Sequence, residues 1–381
     1  MPNLARAHNI EDLRLLAKAR LPRSVFDFFD GGAEDETTLR GNREAFAKLR
    51  LRPKVLVDVH AVDTGVDLFG IRANLPMAIA PTGAIGAGRH DADLMIARAA
   101  RAAGIPYSLA TPATNSIEEI ADQAGGRLWF QLYLLKNREF RSRLVRRAKA
   151  AGYEALLVTV DLTTGGKRER DLRNDFAAPF VPTWRNSRDV LAKPAWLMDM
   201  ARRGVPQMKN LVGMLQQPPR LTDVAASVGR ELDASFSWDD LKALRDAWPR
   251  RLVLKGIVHP ADAERAAAAG CDGIVVSNHG GRQLDGAIAT ADALPAVARA
   301  AGGKMTILID GGVRRGVDLL KARALGAHGV LTGRATLFGA MAGGEAGATR
   351  AIEILAGEYE RAMMLCGVAR TADITADLLA P

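Results

Sequence analysis

The chain has 381 residues, 48% of them hydrophobic and 25% charged, with a formal net charge of +9. That balance is ordinary for a globular protein with a sizeable core and excludes a predominantly disordered chain. Two cysteines, Cys271 and Cys366, without CxxC spacing, exclude a disulfide framework and a cysteine-rich zinc site. The N-terminal stretch carries Arg6, Glu11, Asp12, Arg14, Lys18 and Arg20, which leaves no uninterrupted apolar core for a signal peptide. The reading is of a chain that starts near Met1 and works in a reducing, cytoplasmic location.

Residues 1–75 read as an N-terminal helical arm. An amphipathic helix over 10–19 is followed by a short helix after Pro22 that carries Val25, Phe26, Phe28 and Phe29 and stops at Gly31-Gly32. A further helix is predicted over 39–49, and 53–68 looks extended with turns. Such an arm suits a lid or a plug.

From Met77 an alternation of short apolar runs and amphipathic helices begins. Strands are predicted at 77–80, 106–110, 128–133, 155–160, 252–255, 273–276, 305–309 and 329–332. The intervening helices fall at 91–103, after Ser116, at 139–151, from Ser237 to Trp248, and at 261–269, 292–301 and 316–325. A last helix spans 347–365. Ser116 with Glu119, and Ser237 with Asp240, have capping-box spacing. Eight strands alternating with helices predict a single (β/α)8 barrel over 76–365, although a doubly wound open sheet shares the alternation.

A basic, apolar insertion at 178–220 interrupts the pattern after the fourth strand. Its seven basic residues, Arg185, Arg188, Lys193, Arg202, Arg203, Lys209 and Arg220, face Asp189 and Asp199, a local excess of +5. Much of the chain's positive charge is therefore local. No nucleic-acid motif accompanies it, and interleaved Trp184, Trp196, Met198 and Leu215 give it the composition of an element that lies on a membrane surface.

In a barrel the chemistry collects where strands end. Pro81-Thr82-Gly83 follows the first strand; Gln131 and Tyr133 lie in the third; Thr159 and Asp161 end the fourth, with Lys167 and Arg168 in its loop; Lys255 ends the fifth. The sixth runs into SNHGGRQLDG, which places Ser277, His279 and Arg282 on a glycine turn. A proton acceptor beside a guanidinium suits chemistry on an acid, and a strand cap beside a surface charge suits the same letters. After the seventh and eighth strands come Asp310-Gly311-Gly312-Val313-Arg314 and Gly333-Arg334, the usual barrel position for a phosphate cradle. No G-x-G-x-x-G follows the first strand, which disfavours a Rossmann nicotinamide site. His8, His60, His90, His259 and His328 take core or cap positions.

The segments LPRSVFDFFDGGAEDE, IAPTG, LWFQLY, LVTVD, KRERDLRNDF, LVLKG, SNHGGRQLD, DGGVRRG and TGRATLFG together resemble the FMN-dependent L-2-hydroxy-acid oxidase and dehydrogenase family. The resemblance spans nearly the whole chain. It implies FMN, with Lys255 near the flavin N1/O2 edge; Pro81, Thr82, Gly83, Gln131, Thr159 and Ser277 around the ring; and Asp310, Gly311, Gly312, Arg314, Gly333 and Arg334 along ribityl and phosphate. It implies His279 as base, taking either the α-proton or the hydroxyl proton, Asp161 as its counter-charge, Arg282 and Arg168 for the substrate carboxylate, and Tyr133 as a further hydrogen-bonding group. It also implies a homotetramer, an insertion that attaches the enzyme to the inner face of the cell membrane, and a quinone-type acceptor or, in oxidases, dioxygen. A barrel of another phosphate or flavin chemistry, such as a flavin-dependent isomerase, is the more distant alternative. Phe28 stands where many members carry a tyrosine, Pro112 where glycolate-oxidising members carry a tryptophan, and Gly83 where many oxidases carry alanine. These departures favour a roomy, apolar pocket, a bulky or aromatic substrate, and a dehydrogenase.

Overall fold

A computed structural model describes residues 4–174, 184–214 and 229–381. Strands β3 to β10 close into a parallel barrel in the order β10-β3-β4-β5-β6-β7-β8-β9. They are Met77–Ile79, Tyr107–Ala110, Leu128–Tyr133, Ala155–Thr159, Arg251–Ile257, Gly273–Val276, Thr306–Ile309 and Gly329–Thr332. All eight predicted strands are present, most within a residue or two at their ends, and the open-sheet alternative falls.

Sequence fixes the helix starts locally. Ser116 accepts the Glu119 N–H while the Glu119 carboxylate accepts that of Ser116, and Ser237 and Asp240 repeat the exchange. Both predicted capping boxes therefore form. The final helix differs from its prediction: it runs Arg334–Leu365, with a kink at Gly343 and Gly344, rather than starting at 347. Its first half is buried nearly all round, so the one-sided pattern that marks a surface helix is missing there.

The arm does both jobs open to it. Helices α1 (Ile10–Arg20), α2 (Arg23–Asp30) and α3 (Thr37–Lys48) lead to a roof at the C-terminal end of the barrel, where Phe28 and Phe29 line the cavity. The hairpin of β1 (Val66–Leu68) and β2 (Ile71–Ala73) instead plugs the inside of the barrel. Leu68 and Phe69 join the interior layers of Trp129, Leu157, Val253, Val275 and Leu308, with the Phe69 and Trp129 rings edge to face at 5.5 Å. A closed apolar interior leaves polar chemistry only at the rim.

Within the insertion, Trp184–Leu191 and Pro194–Arg203 are helical and Lys209–Leu211 is a 3-10 turn; positions 178–183 and 215–220 lie outside the described residues. Several of its charges are turned toward the barrel. Lys193 Nζ donates to the Ala19 carbonyl at 2.8 Å, Arg203 pairs with Asp91 at 2.8 Å, and Lys209 pairs with Glu119. Leu191, Met198, Val205 and Val212 stay exposed. Among the described residues no helix is long and apolar enough to cross a membrane.

Candidate active site

Strand register builds the site's first layer. Tyr133 pairs with Thr159, and Thr159 with Lys255, so three polar side chains come level across β5, β6 and β7 at the rim. Gln131 Nε2 donates to Thr159 Oγ1 at 2.9 Å, and its Oε1 accepts the Thr111 N–H at 3.1 Å. The register of β7 then shifts between Lys255 and Ile257. Gly256 sits in the bulge at φ +114°, where a Cβ would lie 2.6 Å from Asp161 Cβ. Glycine there lets Asp161 close on the neighbouring strand end.

The turn after β8 supplies the second layer. His279 is one of few non-glycine residues at positive φ, +58°, a conformation that costs on the order of 1 kcal/mol or more for an ordinary side chain. It is held by its own N–H donating to Ser277 Oγ at 3.1 Å and by its ring, whose Nδ1 lies 2.9 Å from Asp161 Oδ1. Nε2 is left for the cavity. Burial alone would raise the Asp161 carboxyl, but the His279 ring, its hydrogen bond and Lys255 hold it below the ordinary carboxylate value. Lys255 shows the same balance with opposite sign: burial disfavours its charge, yet Asp310 at 2.9 Å and Asp161 raise it above the usual lysine value.

An amide pair ties this turn to the roof. Asn42 Nδ2 donates to Asn278 Oδ1 at 2.9 Å and Asn278 Nδ2 donates back at 2.8 Å, both buried. Asn42 Oδ1 also accepts the Thr290 N–H at 3.2 Å. Neither amide was singled out from the sequence, and a lone asparagine 236 residues from its partner carries no signal that would have found it. Gly281 must be glycine, since a Cβ there would meet the Leu39 backbone N at 2.6 Å.

Four guanidiniums complete the site. Arg282 Nη1 donates to the Phe28 carbonyl at 2.7 Å and the Gly31 carbonyl at 2.9 Å, and its carbon stands 5.2 Å from the Phe28 ring centroid. Burial, then Arg168 and Arg334, push it well below the usual arginine range. Arg314 is pushed down to about 9 by burial, Arg334 and Arg43. Arg334 is pushed down to about 10, burial being the main cause. Arginine does not surrender its proton in proteins, so these shifts measure how poorly the buried charges are compensated. Each of the three nitrogens of Arg334 donates to a backbone carbonyl, those of Phe29, Gly280 and Gly31, and Nη1 and Nη2 each keep a second N–H. It braces the roof onto the His279 turn.

These groups surround one cleft of about 1500 Å³ that is open to solvent. Pro81, Thr82, Gly83, Gln131, Tyr133, Thr159, Arg168, Lys255, His279, Arg282, Asp310, Gly311, Gly312, Arg314, Gly333 and Arg334 all line it. Asp161 and Ser277 stand one layer behind, holding His279 and Lys255. Ser277 Oγ accepts from Lys255 Nζ at 2.8 Å. The cleft is also lined by Leu162, Met208, Leu232, Phe29 and Leu337, which the sequence did not single out as site residues.

The cleft suits a flat ring carrying an anionic tail. At one end Gly311 and Gly312 have φ of +86° and +90°, beside the undercompensated Arg314. Asp310 Oδ1 is buried without a partner among the described residues. The Lys255 ammonium, paired with Asp310 at 2.9 Å, stands level with Thr159 in the strand register. Fold and site together define a (β/α)8 barrel whose rim carries a carboxylate-paired histidine and a cluster of buried arginines. The chain belongs to the FMN-dependent dehydrogenase family, which it matches over residues 17–381. It is 43% identical over 371 residues to (S)-mandelate dehydrogenase of Pseudomonas putida, covering 97% of this chain and 93% of that one. It is 43% identical over 370 residues to an L-lactate dehydrogenase of Caulobacter vibrioides, covering 97% and 96%. The crystal structure of the monotopic membrane protein (S)-mandelate dehydrogenase superposes with a TM-score of 0.94 at 42% identity, covering 98% of this chain and 99% of that one.

Proposed function

We propose that this protein oxidises a bulky or aromatic L-2-hydroxy acid, mandelate-like in size, to the 2-oxo acid, using FMN and passing electrons to a quinone-type acceptor at a membrane surface. The observation that carries this is the His279–Asp161 pair at 2.9 Å, facing a cleft that also holds Arg282 and Arg168. FMN bound in the cleft supplies the two-electron acceptor. Asp310, Gly311, Gly312, Arg314, Gly333 and Arg334 would hold its phosphate and ribityl chain, and Pro81, Thr82, Gly83, Gln131 and Thr159 would hold the ring, with the Lys255 charge close by.

The protein's own groups do the rest. Arg282, whose Nη1 is already occupied by the roof, grips the substrate carboxylate through its remaining donors, with Arg168 adding positive field. Tyr133 hydrogen-bonds the substrate. His279 Nε2 removes a proton from it, and Asp161 stabilises the imidazolium that forms. Phe28 has no hydroxyl to share the carboxylate, so Arg282 carries more of that contact. An apolar mouth built partly from Pro112, Leu162 and Leu232 favours a large side group over the small one of glycolate.

Exposed Leu191, Met198, Val205 and Val212 support a bilayer-facing role for the insertion. Exposed Val55, Leu56 and Val57 support a face for a second copy, in keeping with a homotetramer. The test is anaerobic bleaching of the purified flavoprotein by a panel of 2-hydroxy acids. Colourless protein that gains no flavin on reconstitution defeats the reading, and stoichiometric peroxide in air replaces the quinone-linked dehydrogenase by an oxidase. Co-sedimentation with anionic vesicles and a sedimentation mass check the membrane and assembly parts.

A further inference from the structure

The insertion is fastened to the site itself. Asn210 is fully buried; its Oδ1 accepts the Ile117 N–H at 3.0 Å and its Nδ2 donates to the Asn115 carbonyl at 3.3 Å. Both partners belong to the turn that follows β4 and starts helix α5 (Ile117–Gln123), and the same turn carries Pro112 into the cleft wall. A second fastening lies upstream, where Trp196 Nε1 donates to the Ala87 carbonyl at 2.8 Å, Ala87 being another wall residue. Between these anchors burial alternates: Val205, Gln207 and Lys209 face out, and Pro206, Met208 and Asn210 face in. Met208 is 3% exposed and lines the cleft. A buried methionine ending a tethered segment is a shaped apolar wall, placed by hydrogen bonds that its own side chain cannot make.

Resting on the 2-hydroxy-acid reading above, we propose that Met208 is a specificity-determining residue for the side group of the substrate, and that Asn210 is the residue that positions it. The segment that presents Val205 and Val212 outward thus closes the substrate pocket on its inner side. Lactate, with a methyl group, does not reach Met208; an aryl acid does.

The full-length FMN-loaded protein is titrated anaerobically with 2-oxo acid products, pyruvate against phenylglyoxylate, and binding is read from the flavin absorbance. A few methylenes of apolar pocket are worth about tenfold or more in discrimination. Met208→Ala is expected to weaken phenylglyoxylate about tenfold and leave pyruvate within about twofold, with the same ratio in kcat/KM for mandelate against lactate. Asn210→Ala gives the same pattern more weakly, and Asn210→Asp, which still accepts the Ile117 N–H, recovers part of it. Should Met208→Ala lose flavin, Met208→Gln keeps the length with a polar tip and must show the same selective loss. An unchanged ratio, or equal weakening of both ligands, overturns the proposal. Wild-type flavin that no 2-hydroxy acid bleaches defeats the functional reading instead.

Discussion

Two sets of side chains in the cleft are held in opposite ways. In one, each nitrogen group has its own carboxylate: His279 with Asp161 and Lys255 with Asp310, both at 2.9 Å. In the other, burial is the main penalty on Arg282, Arg314 and Arg334, and the Arg334 charge adds repulsion to Arg282 and Arg314. One-to-one pairing fixes the orientation of each side chain. Crowded guanidiniums hold an unmet demand for an anion, and their places are fixed by backbone carbonyls that leave the charge uncompensated.

Removing a member of the paired set should abolish chemistry and spare ligands. His279→Ala is expected to keep its flavin and bleach with substrate about 10³-fold more slowly, in the range of a lost general base; stopped-flow reduction checks it, and wild-type bleaching would break the contrast. In the crowded set the loss should fall on binding. Arg282→Lys replaces a planar fork with a point charge and is expected to raise KM about 10- to 100-fold with a smaller change in kcat.

Stability against pH sharpens the contrast further. The Asp161 carboxyl is held below its ordinary value of 3.8, so the folded protein releases that proton more readily than the unfolded chain. Its contribution is fully present above 3.8 and is lost as pH falls through the lower folded value. Asp161→Asn should therefore cost about 1–3 kcal/mol at neutral pH and flatten the acid limb of urea midpoints below pH 4. The smallest effect belongs to an ion pair outside both groups: Arg370 and Asp373 meet at 2.7 Å but are mostly exposed, and Arg370→Ala should leave the urea midpoint where it is.

Much of this contrast was legible beforehand, because the groups sit at strand ends and strands announce themselves by apolar runs. His279, Lys255 and Asp161 could be placed from LVTVD, LVLKG and SNHGG alone. What hid was everything set by distant partners. Arg334 follows a glycine after β10, and only the folded roof shows that it also donates to the carbonyls of Phe29, Gly31 and Gly280. Ser277 belongs to the motif, and the ammonium that its hydroxyl accepts from lies on another strand. Met208 lies in a stretch whose composition spoke of a bilayer, and nothing in its spacing told which of its apolar residues face inward. The bulge at Gly256 was equally silent, since a strand's register belongs to the pair of strands.

The brace formed by Arg334 also bears on how the chain is made. The roof leaves the ribosome first and the residue that fastens it leaves 303 positions later. At 5–20 residues per second that interval is roughly 15–60 s. For that time Phe26, Phe28 and Phe29 have no barrel to cover. Closure of the active site thus becomes one of the last events of synthesis.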